Sequence, residues 1–309
     1  MHQIFIDGQN GTTGLQIVER LKSREDIALI ELNEPERKEA SAKAEAMTAA
    51  DVTILCLPDD AARAAANLVP EAKIIDASTA HRTDSRFVYG LPELGQGQRQ
   101  NIEEAMQVSN PGCYPTGFIL LMRPLVEAGL VEPDQSLFIS AISGYSGGGK
   151  SMIEDYQRSN QAAVWPYALS LNHKHLPEMQ VYAGLSKPPV FLPHVGDFYQ
   201  GMLVEIGLTA AQLTRSAQPQ DIVKIWRDFF EGEPNVTVHE ANDTEALQGN
   251  FLDPQGCNGT NRVDLFDYGH GEQHLLIARL DNLGKGASGA AVQNLNLMLG
   301  LNEHIGLSH

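Results

Sequence analysis

The chain begins with a strand, a glycine-rich turn and a helix, and this opening constrains the fold more than any other part of the sequence. The apolar run Ile4 to Asp7 predicts a short strand, and residues 15–21 carry apolar side chains at helical spacing. Between them, Gly8 to Gly14 follow the pattern G-x-x-G-x-x-G. Such a turn lets backbone N–H groups approach a pyrophosphate at a helix N-terminus, so it predicts a dinucleotide site. The alternative is a turn that needs glycine only for its backbone angles.

Further short apolar runs alternate with helical segments along the first half of the chain. They lie at Ile27 to Leu32, Val52 to Leu57 and Ile74 to Asp76, and the alanine-rich segment Ala61 to Leu68 predicts a helix between the last two. Strands that alternate with helices indicate a parallel, doubly wound sheet of the Rossmann type. The candidate dinucleotide ligands in the first turn are Gly8, Gly11, Thr12, Thr13 and Gly14.

The residues after the second predicted strand leave the choice between NAD and NADP open. A carboxylate there typically binds a ribose 2′-hydroxyl, whereas a basic side chain accommodates a 2′-phosphate. Both kinds of side chain are present, namely Glu31, Asn33 and Glu34 on one side and Arg37 and Lys38 on the other.

Composition excludes several classes of function. The 309 residues carry a net charge of -17, which opposes binding to nucleic-acid phosphates and to anionic membrane surfaces. No apolar run approaches the ~20 residues of a membrane span. The three cysteines, Cys56, Cys113 and Cys257, lack the spacing of a disulfide framework or a zinc site. We therefore expect a cytoplasmic protein without a structural metal, nucleic-acid partner or membrane partner.

One of these cysteines stands at a turn that leads directly into an apolar helix. Pro111 and Gly112 favour a tight turn before Cys113, and Thr116 to Ala128 has the apolar spacing of a buried helix. Free N–H groups and the positive end of the helix dipole favour a thiolate at such a position. The pattern predicts a nucleophilic Cys113, the alternative being an inert buried cysteine.

Two histidines on alternate positions offer an acid or base near neutral pH. His173 and His175 are followed by Glu178, and an imidazole beside Cys113 could hold the thiolate or move a proton at a reacting oxygen. The alternatives are a zinc-binding pair, for which spacing reveals no third ligand, and a purely structural role.

A second glycine-rich motif competes with the first. Gly144 to Ser151 fits G-x-x-x-x-G-K-S, the phosphate-binding loop of nucleoside triphosphatases, with Lys150 on the terminal phosphates and Asp281 as a candidate magnesium ligand. Against this interpretation, Met152 to Ser159 predicts a poor amphipathic helix that residues 160–166 interrupt.

Arginines provide candidate anion sites. Arg82 and Arg86 follow the predicted strand Ile74 to Asp76, at the edge where open parallel sheets bind ligands. Arg262 follows a polar turn and is a candidate for binding a substrate carboxylate.

Taken together, these motifs resemble those of the N-acetyl-gamma-glutamyl-phosphate reductases, and more closely the shorter bacterial form. The resemblance runs nearly from end to end. It is carried by Gly8 to Gly14, Ile75 to Ser78, Tyr89 to Leu94, Asn110 to Thr116, Ser143 to Lys150, His173 to Glu178 and Asp281 to Gly289. The block Asn-Pro-Gly-Cys-Tyr-Pro-Thr is the most specific of these. In this family Ser143 to Lys150 is a loop of the catalytic domain, so the triphosphatase match is accidental.

The resemblance implies an α/β fold in which a Rossmann-type doubly wound parallel sheet domain is joined to an α+β catalytic domain with a mostly antiparallel sheet. The first domain is expected to comprise residues 1–115 with 284–309, and the second, which also mediates a homo-oligomer (dimer or tetramer), residues 116–283. The implied reaction is NADPH-dependent reduction of N-acetyl-glutamyl 5-phosphate to the 5-semialdehyde in arginine biosynthesis, through a thioester on Cys113. His175 is favoured over His173 as the acid and base.

The resemblance also assigns binding roles. Arg82 would hold the leaving phosphate and Arg262 the substrate carboxylate. The remaining assignments are Asn110 and Lys150 to the substrate, and Ser143, Gly144 and Asn282 to the cofactor.

The sequence departs from the family pattern at two positions, where Lys150 and Gln200 replace arginines that members usually or often carry. Aspartate semialdehyde dehydrogenase, which shares the chemistry, is the nearest alternative, and a cofactor-free thiol hydrolase is another.

Overall fold

The computed structural model describes residues 1–158 and 162–308. The chain divides into two compact units: a first unit of residues 1–92, 96–112 and 287–308, and a second unit of residues 93–95 and 113–286. In chain order the strands and helices are β1 (His2–Asp7), α1 (Thr12–Lys22), β2 (Ile27–Ile30), α2 (Ala40–Ala49), β3 (Val52–Leu55), α3 (Asp59–Ala66), β4 (Ile74–Asp76), β5 (Val88–Tyr89), α4 (Gln98–Glu104), β6 (Gln107–Ser109), α5 (Cys113–Glu127), β7 (Phe138–Gly144), α6 (Gly149–Arg158), β8 (Val164–Pro166), α7 (Leu176–Tyr182), β9 (Val190–Gly196), β10 (Met202–Thr209), α8 (Pro219–Phe229), β11 (Val236–Val238), β12 (Val263–His270), β13 (Gln273–Leu280) and α9 (Gly289–Met298).

The first unit contains the predicted parallel sheet, with strand order β2-β1-β3-β4-β6-β5. Apolar residues of β1 and β3 pack with the buried faces of α1 and α9, so that Ile4, Ile17 and Leu295 are completely buried in one core. The Rossmann-type fold expected from the alternation of strands and helices is therefore confirmed. The edge strand β2 ends at Ile30 rather than at Leu32, because the chain then turns, with Asn33 and Glu36 exchanging hydrogen bonds.

The second unit has a mixed sheet with strand order β11-β12-β13-β10-β7-β9-β8. Its central strands pair antiparallel, whereas β7 pairs with β9, and β11 with β12, in parallel. Helix α5 packs on this sheet at Gly117, where a Cβ atom would come within 2.9 Å of Val204. The buried Trp226 indole donates to the Leu121 carbonyl at 2.9 Å and joins α8 to α5. The mostly antiparallel second sheet is confirmed.

The units divide between Gly112 and Cys113 and between Gly286 and Ala287. Each point lies three residues from the domain limits expected from the sequence. Residues 113–115 belong with the second unit because α5 already begins at Cys113, with Pro115 in its first turn.

Helix α6 corrects one expectation. The segment after the second glycine-rich motif forms a regular helix, Gly149–Arg158, supported by an ion pair between Glu154 and Arg158 one turn apart. The predicted weakness of this helix was wrong over residues 152–158. Ser159, and residues 160–161 of the predicted break, lie outside the described residues. Among the helices of the described chain, none is both long and apolar enough to cross a membrane.

Candidate active site

The environments of the three cysteines single out Cys113. Desolvation and the carboxylates of Asp76 and Asp7 raise the pKa of Cys56 to about 12. Burial, with Asp264 beside the thiol, raises the pKa of Cys257 to about 11. Cys113 and Cys56 are both partly exposed, but Cys113 differs from both other cysteines in being the first residue of a helix, α5. Because the thiolate is the reactive form, Cys56 and Cys257 are poor nucleophiles, and Cys113 is the candidate.

The second unit brings both predicted histidines to the residue next to this cysteine. The Tyr114 ring centroid lies 6.1 Å from that of His173 and 6.0 Å from that of His175, and the two imidazoles are 4.7 Å apart. His175 is buried, at 7% exposure. Its backbone N–H donates to Nδ1 of His173 at 3.1 Å, so His173 accepts at that nitrogen. Within residues 1–158 and 162–308, no group of three or more His, Cys, Asp or Glu side chains could hold a metal ion, so the geometry does not favour the zinc alternative.

A pair of tyrosine hydroxyls lies beside the thiol. Tyr167 donates to the Tyr114 hydroxyl at 3.3 Å, and Tyr114 donates to the His194 carbonyl at 3.2 Å. Burial raises the pKa of both phenols, and the charge of Cys113 raises each further. The sequence reasoning missed both tyrosines. Tyr114 could have been recognised from the sequence, because it belongs to the cysteine motif. Tyr167 could not, because it reaches the site through the pairing of β8 with β9.

The predicted cofactor residues of the second unit lie close together but are engaged by the protein. The Asn282 Oδ1 accepts the Gly201 N–H at 2.8 Å, and its Nδ2 donates to the Ser146 hydroxyl at 3.0 Å. Ser143 is buried, and its hydroxyl donates to the Gly144 carbonyl at 3.2 Å. Gly144 ends β7, where a Cβ atom would stand 2.6 Å from the Tyr199 carbonyl oxygen.

The second glycine-rich motif does not have the properties of a triphosphate-binding loop. The N–H groups of Gly144, Tyr145 and Ser146 donate to carbonyls of residues 198–201 at 2.9, 2.9 and 3.0 Å. Those donors are therefore satisfied, whereas a phosphate-binding loop needs them for its ligand. Lys150 is exposed on α6.

The candidate magnesium ligand of that alternative has a different role. Asp281 is buried, and its Oδ2 accepts the Gln200 amide at 3.0 Å and the Gly259 N–H at 2.8 Å. Its Oδ1 accepts the Leu283 N–H at 2.9 Å. Gln200, where arginine was expected, thus belongs to the network around Asp281.

In the first unit, Arg82 and Asn110 lie together at the carboxyl end of the sheet. The buried Arg82 Nε donates to the Asn110 carbonyl at 2.9 Å. The Asn110 side chain donates to the Ala287 carbonyl at 3.0 Å and accepts from Asn294 at 3.1 Å. Arg86, by contrast, is exposed and pairs with Asp84 at 2.7 Å, as an ordinary surface arginine does.

Arg262 lies in an ion-pair cluster at the start of β12. Its Nε contacts Asp264 at 2.7 Å, and Arg279 contacts the same carboxylate at 2.7 Å. Hydrogen bonds from both arginines, together with the His239 imidazole 3.7 Å away, oppose the effect of burial and hold the pKa of Asp264 well below its usual range. The guanidinium of Arg262 is thus engaged by a carboxylate of its own strand.

The first glycine-rich turn has the shape that a dinucleotide requires. Gly8 adopts φ +88°, and a Cβ atom there would stand 2.3 Å from the Cys56 carbonyl oxygen. A Cβ atom on Gly14 would stand 2.5 Å from the Gly8 carbonyl oxygen. Within the described chain no side chain caps α1, which starts at Thr12 after Gly11. The first N–H groups of α1 therefore remain suited to a pyrophosphate.

Family models match both parts of the chain. Residues 3–105 match the NAD-binding domain of semialdehyde dehydrogenases, and residues 113–282 match their dimerisation domain. The chain is 49% identical over 318 residues to N-acetyl-gamma-glutamyl-phosphate reductase 2 of Nostoc sp., with 99% of each protein covered. The chain belongs to the N-acetyl-gamma-glutamyl-phosphate reductase family. It is therefore an aldehyde-forming oxidoreductase with a nicotinamide-binding domain and a dimerisation domain.

Other relatives and solved structures agree with this assignment. N-acetyl-gamma-glutamyl-phosphate reductase 2 of Pseudomonas putida is 47% identical to this chain over 304 residues, with 96% of each protein covered. Aspartate semialdehyde dehydrogenase from Francisella tularensis superposes with a TM-score of 0.73 at 14% identity, covering 97% of this chain and 100% of that one. The Candida albicans enzyme, solved with NADP, gives 0.68 at 13% identity over 97% and 99% of the two chains. At these identities the superpositions show the shared fold only.

Proposed function

We propose that this chain reduces N-acetyl-L-glutamyl 5-phosphate to N-acetyl-L-glutamate 5-semialdehyde with NADPH, as a step of arginine biosynthesis. The observation that carries the proposal is the position of Cys113, partly exposed at the start of α5 and adjacent in the chain to Tyr114, whose ring touches both histidines.

The thiolate of Cys113 attacks the acyl carbon of the substrate. The carbon–sulfur bond forms as the carbon–oxygen bond to phosphate breaks, which leaves a thioester on the cysteine and releases inorganic phosphate. When bound, the reduced nicotinamide supplies a hydride to the acyl carbon. The sulfur then leaves with the bonding electrons, and the free aldehyde and the thiolate are restored.

His175 provides the acid and base in this scheme. His173 is less suited to proton transfer at Nδ1, since that atom accepts the N–H of His175. The buried His175 keeps a fixed position against Tyr114, and an imidazole titrates near the working pH. It takes the thiol proton before attack and stabilises the carbonyl oxygen as charge develops on it.

The cofactor would be held by the first glycine-rich turn, whose residues fit a dinucleotide. The amides of Thr12, Thr13 and Gly14 would bind the pyrophosphate, while Gly11, whose N–H donates to the Gly8 carbonyl at 3.1 Å, would shape the turn beside it. Arg37 supports a preference for NADP, because its Nε is anchored to the Leu32 carbonyl at 2.8 Å just beyond β2. Its Nη1 contacts Glu34 at 3.3 Å, but that carboxylate is 75% exposed, so the pair is weak. We propose that the nicotinamide end of the site is shaped by Ser143, Gly144 and Asn282. The side-chain amide of Asn282 would not bind the cofactor directly, because it is engaged by the protein.

The substrate assignments have unequal support. Arg82 is proposed to bind the leaving phosphate, with Asn110 fixing its position through the hydrogen bond between them. Lys150, which is exposed, would contribute a positive charge to the acyl phosphate. Arg262 is the weakest assignment, since Asp264 already neutralises it. We further propose a homodimer or homotetramer formed through the second unit, and a cytoplasmic location.

The reverse reaction tests the proposal. Absorbance of NADPH should rise when N-acetyl-glutamate semialdehyde, phosphate and NADP are mixed with the wild-type protein, and the rise should require phosphate. Cys113→Ser should abolish it, while Cys257→Ser serves as the matched control and retains it. A signal with aspartate semialdehyde but not with the acetylated substrate would overturn the substrate assignment, and no signal with NADP or NAD would overturn the reaction.

A further inference from the structure

The turn that follows β13, residues 281–286, runs into the short π-helix Gly284–Ser288 and lies against the nucleophile. We call it the Asp281 turn. A Cβ atom on Gly286 would stand 2.7 Å from the Cβ atom of Cys113 and 3.3 Å from its Cα atom. Gly286 does not have a positive φ, so the required feature is the missing side chain. Only glycine lets the turn approach the cysteine so closely.

Asp281 holds this turn from one side. Its carboxylate is 1% exposed and accepts hydrogen bonds from Gln200, from Gly259 and from Leu283 in the turn itself. Its backbone carbonyl accepts the Gly286 N–H at 2.9 Å. One buried residue therefore connects two neighbouring segments with the glycine that touches Cys113.

A buried ion pair holds the turn from the other side. The Lys285 ammonium lies 2.8 Å from each carboxylate oxygen of Glu93, and both residues are at most 1% exposed. Asn235 donates to Glu93 at 3.1 Å. Replacing a buried ion pair with apolar side chains is often neutral or stabilising, so its presence is weak evidence of a contribution to stability. It does require one geometry of the turn, because separating the two charges would bury each of them without its oppositely charged partner.

We propose that Asp281 and the Glu93–Lys285 ion pair are positioning residues for the Cys113 nucleophile and act through Gly286. The inference rests on the proposed function of Cys113 as the nucleophile. By fixing the Asp281 turn, these groups hold the cysteine backbone and hence the direction in which Sγ approaches the acyl carbon. A displacement of 1 Å at a reacting centre can reduce the rate about a hundredfold.

Gly286→Ala is the direct test, and Gly207→Ala is the matched control. A Cβ atom on Gly207, in β10, would meet no atom of residues 1–158 and 162–308 within 4 Å. We expect Gly286→Ala to lower kcat for the phosphate-dependent reaction about a hundredfold with little change in the KM for phosphate. It should also shift the rate and pH profile of Cys113 alkylation by iodoacetamide, followed by mass spectrometry of the peptide. Gly207→Ala should keep the wild-type value of each quantity.

Asp281→Asn provides a second test with nearly the same side-chain shape. An amide nitrogen cannot accept from Gln200 or Gly259, so we expect a smaller loss of kcat and an alkylation shift in the same direction. If circular dichroism shows that Gly286→Ala does not fold, Asp281→Asn tests the positioning role. If neither variant folds, Gln200→Ala, which removes one hydrogen bond to Asp281, tests it instead.

Folded variants that alkylate at the wild-type rate and retain wild-type kcat would overturn the positioning role. The alkylation assay needs no turnover. An inactive wild-type protein whose variants still show altered alkylation would therefore overturn the proposed reaction and support the positioning of the thiol.

Discussion

The two glycine-rich segments look alike in sequence but differ in what their backbone N–H groups do. Gly8 to Gly14 and Gly144 to Ser151 each follow a strand and lead into a helix. In the first, the Gly11 N–H donates to the Gly8 carbonyl, but no side chain caps the described helix, which starts at Thr12. In the second, three successive N–H groups donate to residues 198–201. A glycine motif therefore indicates a phosphate site only where tertiary contacts leave its donors available.

The largest expected effect on stability comes from a glycine-to-alanine substitution in the first segment, compared with the same substitution in the second. Gly8 and Gly149 both have positive φ. A Cβ atom on Gly8 would meet the Cys56 carbonyl oxygen, whereas one on Gly149 would meet no atom of the described residues within 4 Å. Gly149, at φ 75° and ψ −168°, lies in a region that essentially only glycine adopts, and such backbone strain costs about 1–3 kcal/mol. We expect Gly149→Ala to lose this amount of unfolding free energy in urea titrations and Gly8→Ala to lose clearly more, together with NADPH binding. Equal losses would show that the first turn needs glycine only for its backbone angles.

The second largest effect is expected from ligands, because a nucleotide should stabilise the protein only through the first glycine-rich segment. NADPH at a hundredfold excess over its Kd should raise the free energy of unfolding by about 2.7 kcal/mol, and ATP with magnesium should not change it. Thermal unfolding at several ligand concentrations measures both effects. Stabilisation by ATP with magnesium that Lys150→Ala abolishes would revive the triphosphatase alternative.

Substitution of Arg37 tests whether the first glycine-rich segment belongs to a site that prefers NADP over NAD. If its guanidinium binds a 2′-phosphate, Arg37→Ala should weaken NADP binding by about 1–2 kcal/mol, roughly tenfold, and leave the NAD affinity unchanged. Calorimetric titration with each cofactor measures the difference, with Lys187→Ala, at an exposed lysine of the second unit, as the control. An equal loss for NAD and NADP would argue against 2′-phosphate recognition.

The smallest effect is expected at Lys150. Its side chain is exposed on α6, so Lys150→Ala should alter the free energy of unfolding by no more than about 0.5 kcal/mol. NADPH affinity should be unchanged, and only the KM for the acyl phosphate should rise. A Kd for NADPH that weakens in this variant would show that the second segment contributes to nucleotide binding after all.

Part of the candidate site could be recognised from local sequence. Cys113 stands out because a Pro-Gly turn and an apolar helix are local features, and the histidine pair because two imidazoles on alternate positions are rare. The alternation of short apolar runs and helical segments similarly predicted the parallel sheet of the first unit, since each element must bury its apolar face against the next.

Other parts depended on contacts between distant residues. Tyr167 reaches the hydroxyl of Tyr114, and Gln200 binds Asp281, across 53 and 81 positions of the chain. Arg262 looked like a free anion ligand until the structure paired it with Asp264. Such side-chain partners cannot be predicted from periodicity or from a motif, because side-chain pairing depends on strand register and burial.

The sequence by itself determined the kind of fold and the family and singled out the candidate nucleophile, because these follow from local patterning and from one specific motif. Tertiary structure alone decided which of two similar glycine segments keeps available donors, which cysteines are desolvated, and why residue 286 is glycine. Each of these depends on atoms brought together from distant parts of the chain, where hydrogen-bond satisfaction and steric exclusion act over a few ångströms.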